Sequence, residues 1–239
     1  MPDQKQVKSK TRVSEHGEVF TAEREVKAMC DLVKQETERI DSRFLEPACG
    51  NGNFLAEIVS RKLAVCKKRY KTPYDFERYS VLAMSSIYGV DILQDNVAEC
   101  RKRMFDLWDK AYKAACKKEV NEETRAAVRY ILDKNILCGN ALTLMCVDDA
   151  QQDIPGEPII FAEWSMLAGT KLKRRDFRLD VLLKANEKPP QDAQMSILET
   201  NIPPELEPYI SFNPVTKEYM AEPIREYPPV HYRRITDNG

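Results

Sequence analysis

The chain has 239 residues, 31% of them charged and 43% hydrophobic, which is enough for one domain of ordinary size with an extension and a sizeable core. Its 37 basic and 38 acidic residues nearly cancel, so whole-chain charge exerts no pull on nucleic acid and any such contact must come from a local patch. No apolar run approaches the roughly 20 residues that cross a bilayer, the polar start Met1 to Lys5 lacks a signal peptide's apolar segment, and a cytoplasmic protein is expected.

Residues 1–12 are basic and polar, with Lys5, Lys8, Lys10 and Arg12, and read as a flexible tail or as an arm that contacts phosphates. A helix is expected beyond Ala22, with Val26, Met29, Cys30 and Val33 on one apolar face. The stretch Phe44 to Leu55 is then a short buried strand, a glycine turn and the start of a helix. Gly50 and Gly52 let backbone approach a ligand closely, and Asn53 is expected to cap the helix beginning at Phe54. Free backbone N–H groups at that helix start favour a carboxylate or another electron-rich group. A Gly-x-Gly alone is equally compatible with a plain turn.

Phe54, Leu55, Ile58, Val59, Leu63 and Val65 form the face of the helix that follows. Lys67 to Arg78 reads as a solvated insertion, although its interleaved basic and aromatic residues could also follow a nucleic-acid backbone. A second strand covers Ser86 to Ile92, and Asp91 at its carboxyl end suits a carboxylate that accepts hydrogen bonds from both ribose hydroxyls, or one that caps the next helix. Helices follow over Asp95 to about Lys118 and over Glu122 to Lys134. A third strand then leads into Gly139-Asn140-Ala141-Leu142, which is also a turn-forming sequence.

Glu46-Pro47-Ala48-Cys49-Gly50-Asn51-Gly52-Asn53-Phe54-Leu55 resembles the S-adenosyl-L-methionine loop of amino-type DNA methyltransferases, particularly the adenine-N6 enzymes of restriction–modification systems. Asn51 stands where that family usually has Ser or Thr. His16-Gly17-Glu18-Val19-Phe20-Thr21 resembles the family's string ahead of the loop, with Ala22 in place of its proline. Gly89-Val90-Asp91-Ile92 and Gly139-Asn140-Ala141-Leu142 follow in the family's order, with Asn140 in place of an acid. The resemblance implies that Phe20, Thr21, Glu46, Pro47, Ala48, Cys49, Gly50, Gly52, Asn53, Phe54, Asp91, Ile92, Asn140, Ala141 and Leu142 line a cofactor site. Asn140 retains a carbonyl for the adenine amine that the family's acid would meet.

Methyl transfer to an exocyclic amine needs a base turned out of the duplex and acceptors for the amine hydrogens. The family builds these acceptors from Asn or Asp, two prolines and an aromatic. Here Asn186, Pro189 and Pro190 are the nearest match, with two residues intervening and Gln191 where the aromatic should stand. Pro158 to Trp164 is a further strand candidate, and Lys173, Arg174 and Arg175 are candidates for a phosphate patch on DNA. Nine of the 14 prolines lie after Asn186, so residues 186–239 are expected to form an extended strap or a partner-binding segment rather than another sheet.

The seven cysteines have no Cys-x-x-Cys spacing and read as reduced, mostly buried small hydrophobes, and no metal site is expected. The expected fold is α/β: a doubly wound, Rossmann-like sheet of the class-I methyltransferase type over residues 13–185, complete or in part. The resemblance implies a DNA adenine-N6 methyltransferase or a modification-subunit relative. The alternatives are a non-catalytic cofactor-binding subunit acting through a partner protein, and a methyltransferase acting on RNA or a small molecule. A second chain could supply missing catalytic or target-recognition elements.

Overall fold

A computed structural model describes residues 12, 14, 21–186 and 202–238 and has a mixed α/β architecture. The first strand, β1 (Phe44–Glu46), lies parallel to β2 (Ile87–Asp91), with Phe44 opposite Ile87 and Glu46 opposite Gly89. Next comes β3 (Ile136–Asn140), parallel to β2 with Asp91 opposite Cys138. Two antiparallel strands, β4 (Met145–Val147) and β5 (Asp153–Pro158), complete a sheet of order β1-β2-β3-β4-β5.

Helices α1 (Glu23–Leu32) and α2 (Lys34–Thr37) precede β1. The crossover from β1 to β2 carries α3 (Asn53–Arg69) and α4 (Pro73–Met84), and the crossover from β2 to β3 carries α5 (Gln94–Cys116) and α6 (Glu122–Asn135). Both crossovers step the same way across the sheet, so right-handed connections put all four helices on one face. Their buried side chains, among them Leu55, Val81, Trp108 and Ile131, share one core with Ile87. Tyr88 and Val90, pointing the opposite way, pack with Ile159, Phe161 and Leu179. The described sheet is therefore not doubly wound: the residues on its second face come from the start of the hairpin of β6 (Ile160–Met166) and β7 (Lys171–Arg178) and of the short helix α7 (Leu179–Ala185), while Ala162, Trp164 and Leu172 of the hairpin join the helical core.

Lys67 to Arg78 is not an insertion. Its first residues end α3, and Thr72 opens α4 by accepting the Asp75 N–H at 3.1 Å, with Pro73 in the first turn where its missing donor costs nothing. On α1, Val26 and Cys30 are buried but Met29 and Val33 are half exposed, so the apolar face is narrower than its spacing suggests.

The proline-rich end also departs from expectation, because part of it does join a sheet. Strands β8 (Ile210–Asn213) and β9 (Glu218–Ala221) form a hairpin, and β10 (Arg225–Glu226) and β11 (Val230–His231) both pair with β7. Each pairing segment is short because the prolines between them lack N–H groups. Tyr232 and Ile235, in the 3-10 turns that follow, are completely buried in the helical core.

Polar groups fasten the core at two points. Glu77 on α4 accepts hydrogen bonds from the hydroxyls of Tyr112 (2.6 Å) and Tyr232 (2.5 Å) and from Arg233 (2.7 Å). Lys62 on α3 is fully buried and donates to the carbonyls of Ile40 (3.1 Å) and Ser42 and to the Ser86 hydroxyl (2.5 Å). Burial pulls the Lys62 ammonium from its ordinary 10.5 down to about 7. Between those values the unfolded chain binds the extra proton, so this group makes stability rise with pH from about 7 towards 10.5. Chemical denaturation at pH 7 and pH 9 should show a larger alkaline gain for the wild type than for Lys62→Met. Equal gains would remove Lys62 as the source.

Candidate functional site

The carboxyl ends of β1, β2 and β3 bring the predicted cofactor residues to one edge of the sheet. Gly50 and Gly52 have φ of 50° and 85°, values that favour glycine. These turns carry the chain from β1 into α3, tied down by hydrogen bonds from the Cys49 N–H to the Val90 carbonyl and from the Gly52 N–H to the Cys49 carbonyl, both 2.8 Å. The Gly50 N–H donates to Asp91 Oδ2 at 2.8 Å, while Oδ1 accepts the Leu93 N–H at 2.9 Å and the Asn96 side chain at 3.2 Å. Asp91 is thus both the partner of the glycine loop and a stop for the chain entering α5. A carboxylate has about four acceptor sites, and its half-buried position leaves room for a further donor.

Around it, Glu46, Gly50, Asn53, Phe54, Ile92, Asn140 and Ala141 are half buried, Pro47, Ala48 and Leu142 are exposed, and Cys49 and Gly52 are buried beneath them. Burial pushes the Glu46 carboxyl above its ordinary value, against a backbone hydrogen bond at Ala48. The Cys49 thiol is pushed up by a hydrogen bond with Cys100 and by burial, and it packs in the helical core.

Asn53 does not cap a helix beginning at Phe54. Gly52 occupies the cap, the helix begins at Asn53, and no side chain caps it. The Asn53 amide instead donates to the Thr21 carbonyl at 3.2 Å, while its oxygen accepts from Arg103 at 2.6 Å. Thr21 is thereby held at the loop, and Arg12 reaches the same edge through Asp95 at 2.5 Å, so that residue is not part of a loose tail. Phe20, Pro189 and Pro190 lie outside the described residues.

Asn140 serves its own turn first. Its oxygen accepts the Leu142 N–H at 3.0 Å and the Thr143 N–H at 3.4 Å, and its amide donates to Asp153 at 3.2 Å. That geometry occupies the carbonyl the sequence offered to an adenine amine.

Asn186 is elsewhere. It ends α7, donates to the Leu182 carbonyl at 2.7 Å, and lines a cavity of about 410 Å³ with Arg43, Leu45, Tyr88 and Glu163. None of Glu46, Gly50, Asp91 or Asn140 lines that cavity. The basic run is corrected as well: in a strand, alternate residues point the same way, so Arg174 turns inward with Leu172 and Asp176 and is buried. It pairs with both oxygens of Asp176 at 2.7 and 2.8 Å and lies over the Tyr227 ring. Lys173 pairs with Glu226 at 2.7 Å and Arg175 with Glu163 at 2.6 Å, a carboxylate that Arg43 also meets, so each member of the run has a partner within the chain although Glu163 serves two guanidiniums.

Sequence reasoning missed Arg103, the cation behind the loop, because it reads as one more exposed helix charge. It also missed Cys100, whose sulfur would lie 2.7 Å from a Cβ added at Gly52. Gly52→Ala should therefore lose about 1–3 kcal/mol from the left-handed backbone alone, plus the cost of displacing Cys100. Gly169→Ala, at φ 75° with open space around it, should lose only the backbone share. Thermal melts in which the two variants lose equal stability would contradict the close packing at Gly52.

Carboxylates at Glu46 and Asp91 accept from hydroxyl and ammonium groups, while Arg103 and the uncapped start of α3 favour a carboxylate. Among the described residues no helix is long and apolar enough to cross a membrane. Comparison of the chain with protein-family models, with curated proteins and with solved structures gave no match.

Proposed function

We propose that the chain binds S-adenosyl-L-methionine at the carboxyl edge of β1, β2 and β3, and that it is the cofactor-binding subunit of a DNA adenine-N6 methyltransferase system, completed by another chain. The observation that carries this reading is the glycine loop closed on Asp91 through the Gly50 N–H at 2.8 Å, in the motif order whose resemblance is given above. Asp91 would take a ribose hydroxyl, Glu46 the ammonium, and Arg103 with the α3 N-terminus the carboxylate. When bound, the cofactor supplies a methyl group on a positively charged sulfur. The chain's own residues would fix its orientation, because α3, α5 and Cys49 of the loop are packed into the core.

The subunit reading is preferred over an autonomous enzyme on one specific ground. Asn186, the nearest candidate for an amine acceptor, lines a cavity separate from the loop residues, and Lys173, Arg174 and Arg175 spend their charge on internal partners. Incubating the protein with radiolabelled cofactor and duplex DNA, RNA or small amines tests this directly. No transfer by the chain alone, together with retained cofactor binding, is the expected result. Robust transfer to any of these acceptors by the isolated chain would overturn the subunit reading, and an activity untouched by Asn186→Ala would exclude that residue from catalysis.

A further inference from the structure

Among the described residues the sheet ends at β1. The Phe44 N–H donates to the Ser86 carbonyl at 3.0 Å, and with Phe44 opposite Ile87 and Glu46 opposite Gly89 these two residues turn their backbone groups towards β2. Alternation along a strand then turns the N–H and C=O of Leu45 outward. Among the described residues no strand pairs with that outer edge, and neither backbone group of Leu45 has a hydrogen-bond partner. Its side chain is 41% exposed, unusual for a leucine in the strand that leads into the glycine loop.

Beside this edge lies the 410 Å³ cavity, walled by Tyr88, Phe161, Phe177, Leu182 and Leu183. At its rim Arg43 and Arg175 both pair with the single carboxylate of Glu163, which leaves one positive charge unbalanced. An unpaired strand edge asks for backbone donors and acceptors, the cavity for an apolar side chain, and the two guanidiniums for a carboxylate.

We propose that the outer edge of β1 and this cavity receive an extended strand of another protein chain, with an apolar residue seated between Tyr88 and Phe177 and an acidic residue facing Arg43 and Arg175. This deepens the subunit reading above and rests on it for its biological meaning: a strand added there lies next to the one that carries the glycine loop, on the side where the described sheet leaves the ligand edge unflanked. In open α/β sheets the ligand crevice forms where strands run away on both sides of such a point.

To test it, a random decapeptide library is selected against the full-length protein, and the best sequence is labelled with fluorescein and titrated by anisotropy. The expected result is a sequence of alternating apolar residues with an acidic member. Its affinity should fall at least tenfold on Leu45→Lys and on Arg43→Glu, and exchange of the Leu45 amide should slow at least tenfold when it binds. Leu45 is 41% exposed, so Leu45→Lys should keep the wild-type melting temperature. A melt checks that Arg43→Glu, which sets a carboxylate against Glu163, stays folded, and the exchange measurement needs no variant. Failure to enrich any peptide, binding unaffected by both substitutions, or a Leu45 amide already protected in the protein alone would each overturn the proposal. A dimer in sedimentation that is lost on Leu45→Lys would do the same, by making a second copy the occupant. Titration with S-adenosyl-L-methionine separates the two readings: peptide binding without cofactor binding sinks the cofactor site alone, and cofactor binding without peptide binding sinks this proposal alone.

Discussion

Replacing Glu77 with alanine is expected to cost about 3–5 kcal/mol, the range found when one partner of a buried ion pair is removed. The carboxylate is 2% exposed and gathers three donors from distant parts of the chain: Tyr112 on α5, and Tyr232 and Arg233 at the far end of the proline-rich extension. Without it two buried hydroxyls and a guanidinium lose their acceptor, and the last segment loses its anchor to the helical core. At roughly 2–4 °C per kcal/mol for a chain of this size the melting temperature should fall by about 10 °C. Glu77→Gln keeps an acceptor in place but not the charge, and should lose less. Scanning calorimetry of both variants checks the order, and an alanine variant as stable as the wild type would mean that the carboxylate is incidental.

The same group gives the protein an acid limit. Burial by itself would raise the Glu77 carboxyl, but the bonds from Arg233, Tyr112 and Tyr232 outweigh it and hold the group below its ordinary value of 4.5. A carboxyl lowered in the folded state contributes stability that is complete above the unfolded value and is lost as pH falls through the folded one. Wild-type stability should therefore drop below about pH 4.5 more steeply than that of Glu77→Gln.

Parts of the architecture were legible because a single chemical pattern dominated them. The apolar run at Phe44, the glycines and the apolar faces of α3 and α5 identify strand, loop and helices without knowledge of any partner. Helix α4 was not legible because its inward residues include Glu77 and Ser80 beside Phe76 and Val81, and a buried acid breaks the apolar period. The strand β7 was hidden for the same reason, since Arg174 and Asp176 point inward as a matched pair and read as surface charge. The partners of Glu77 lie up to 156 residues away, a separation at which no local pattern speaks.

The candidate site divides in a similar way. Gly50, Gly52 and Asp91 act through backbone geometry that their residue types announce. Asn53 was assigned the wrong partner, and Asn140 serves a turn where its sequence left turn and ligand both open, because an amide side chain serves a cap, a turn or a ligand equally well until its neighbours are known. One-sided helix packing escaped notice because it follows from the order of strands across the sheet, and the sequence gives only their order along the chain.

The largest functional effect is expected at Asp91. Asp91→Ala removes the acceptor of the Gly50 N–H, which loosens the loop, and the acceptor of a proposed ribose hydroxyl; losing that one hydrogen bond to a charged group costs about 1.5–3 kcal/mol, roughly tenfold to a hundredfold in affinity. Asp91→Asn, which keeps one carbonyl oxygen, should fall between. Circular dichroism of the variants separates loss of the ligand from loss of the fold.

Calorimetric titration of the purified wild-type protein and of Asp91→Ala with S-adenosyl-L-methionine tests the central claim most directly. Micromolar binding by the wild type, lost in a folded Asp91→Ala protein, is the predicted result. No heat of binding with the wild type, or equal binding by both proteins, would contradict a cofactor site at the carboxyl edge of this sheet.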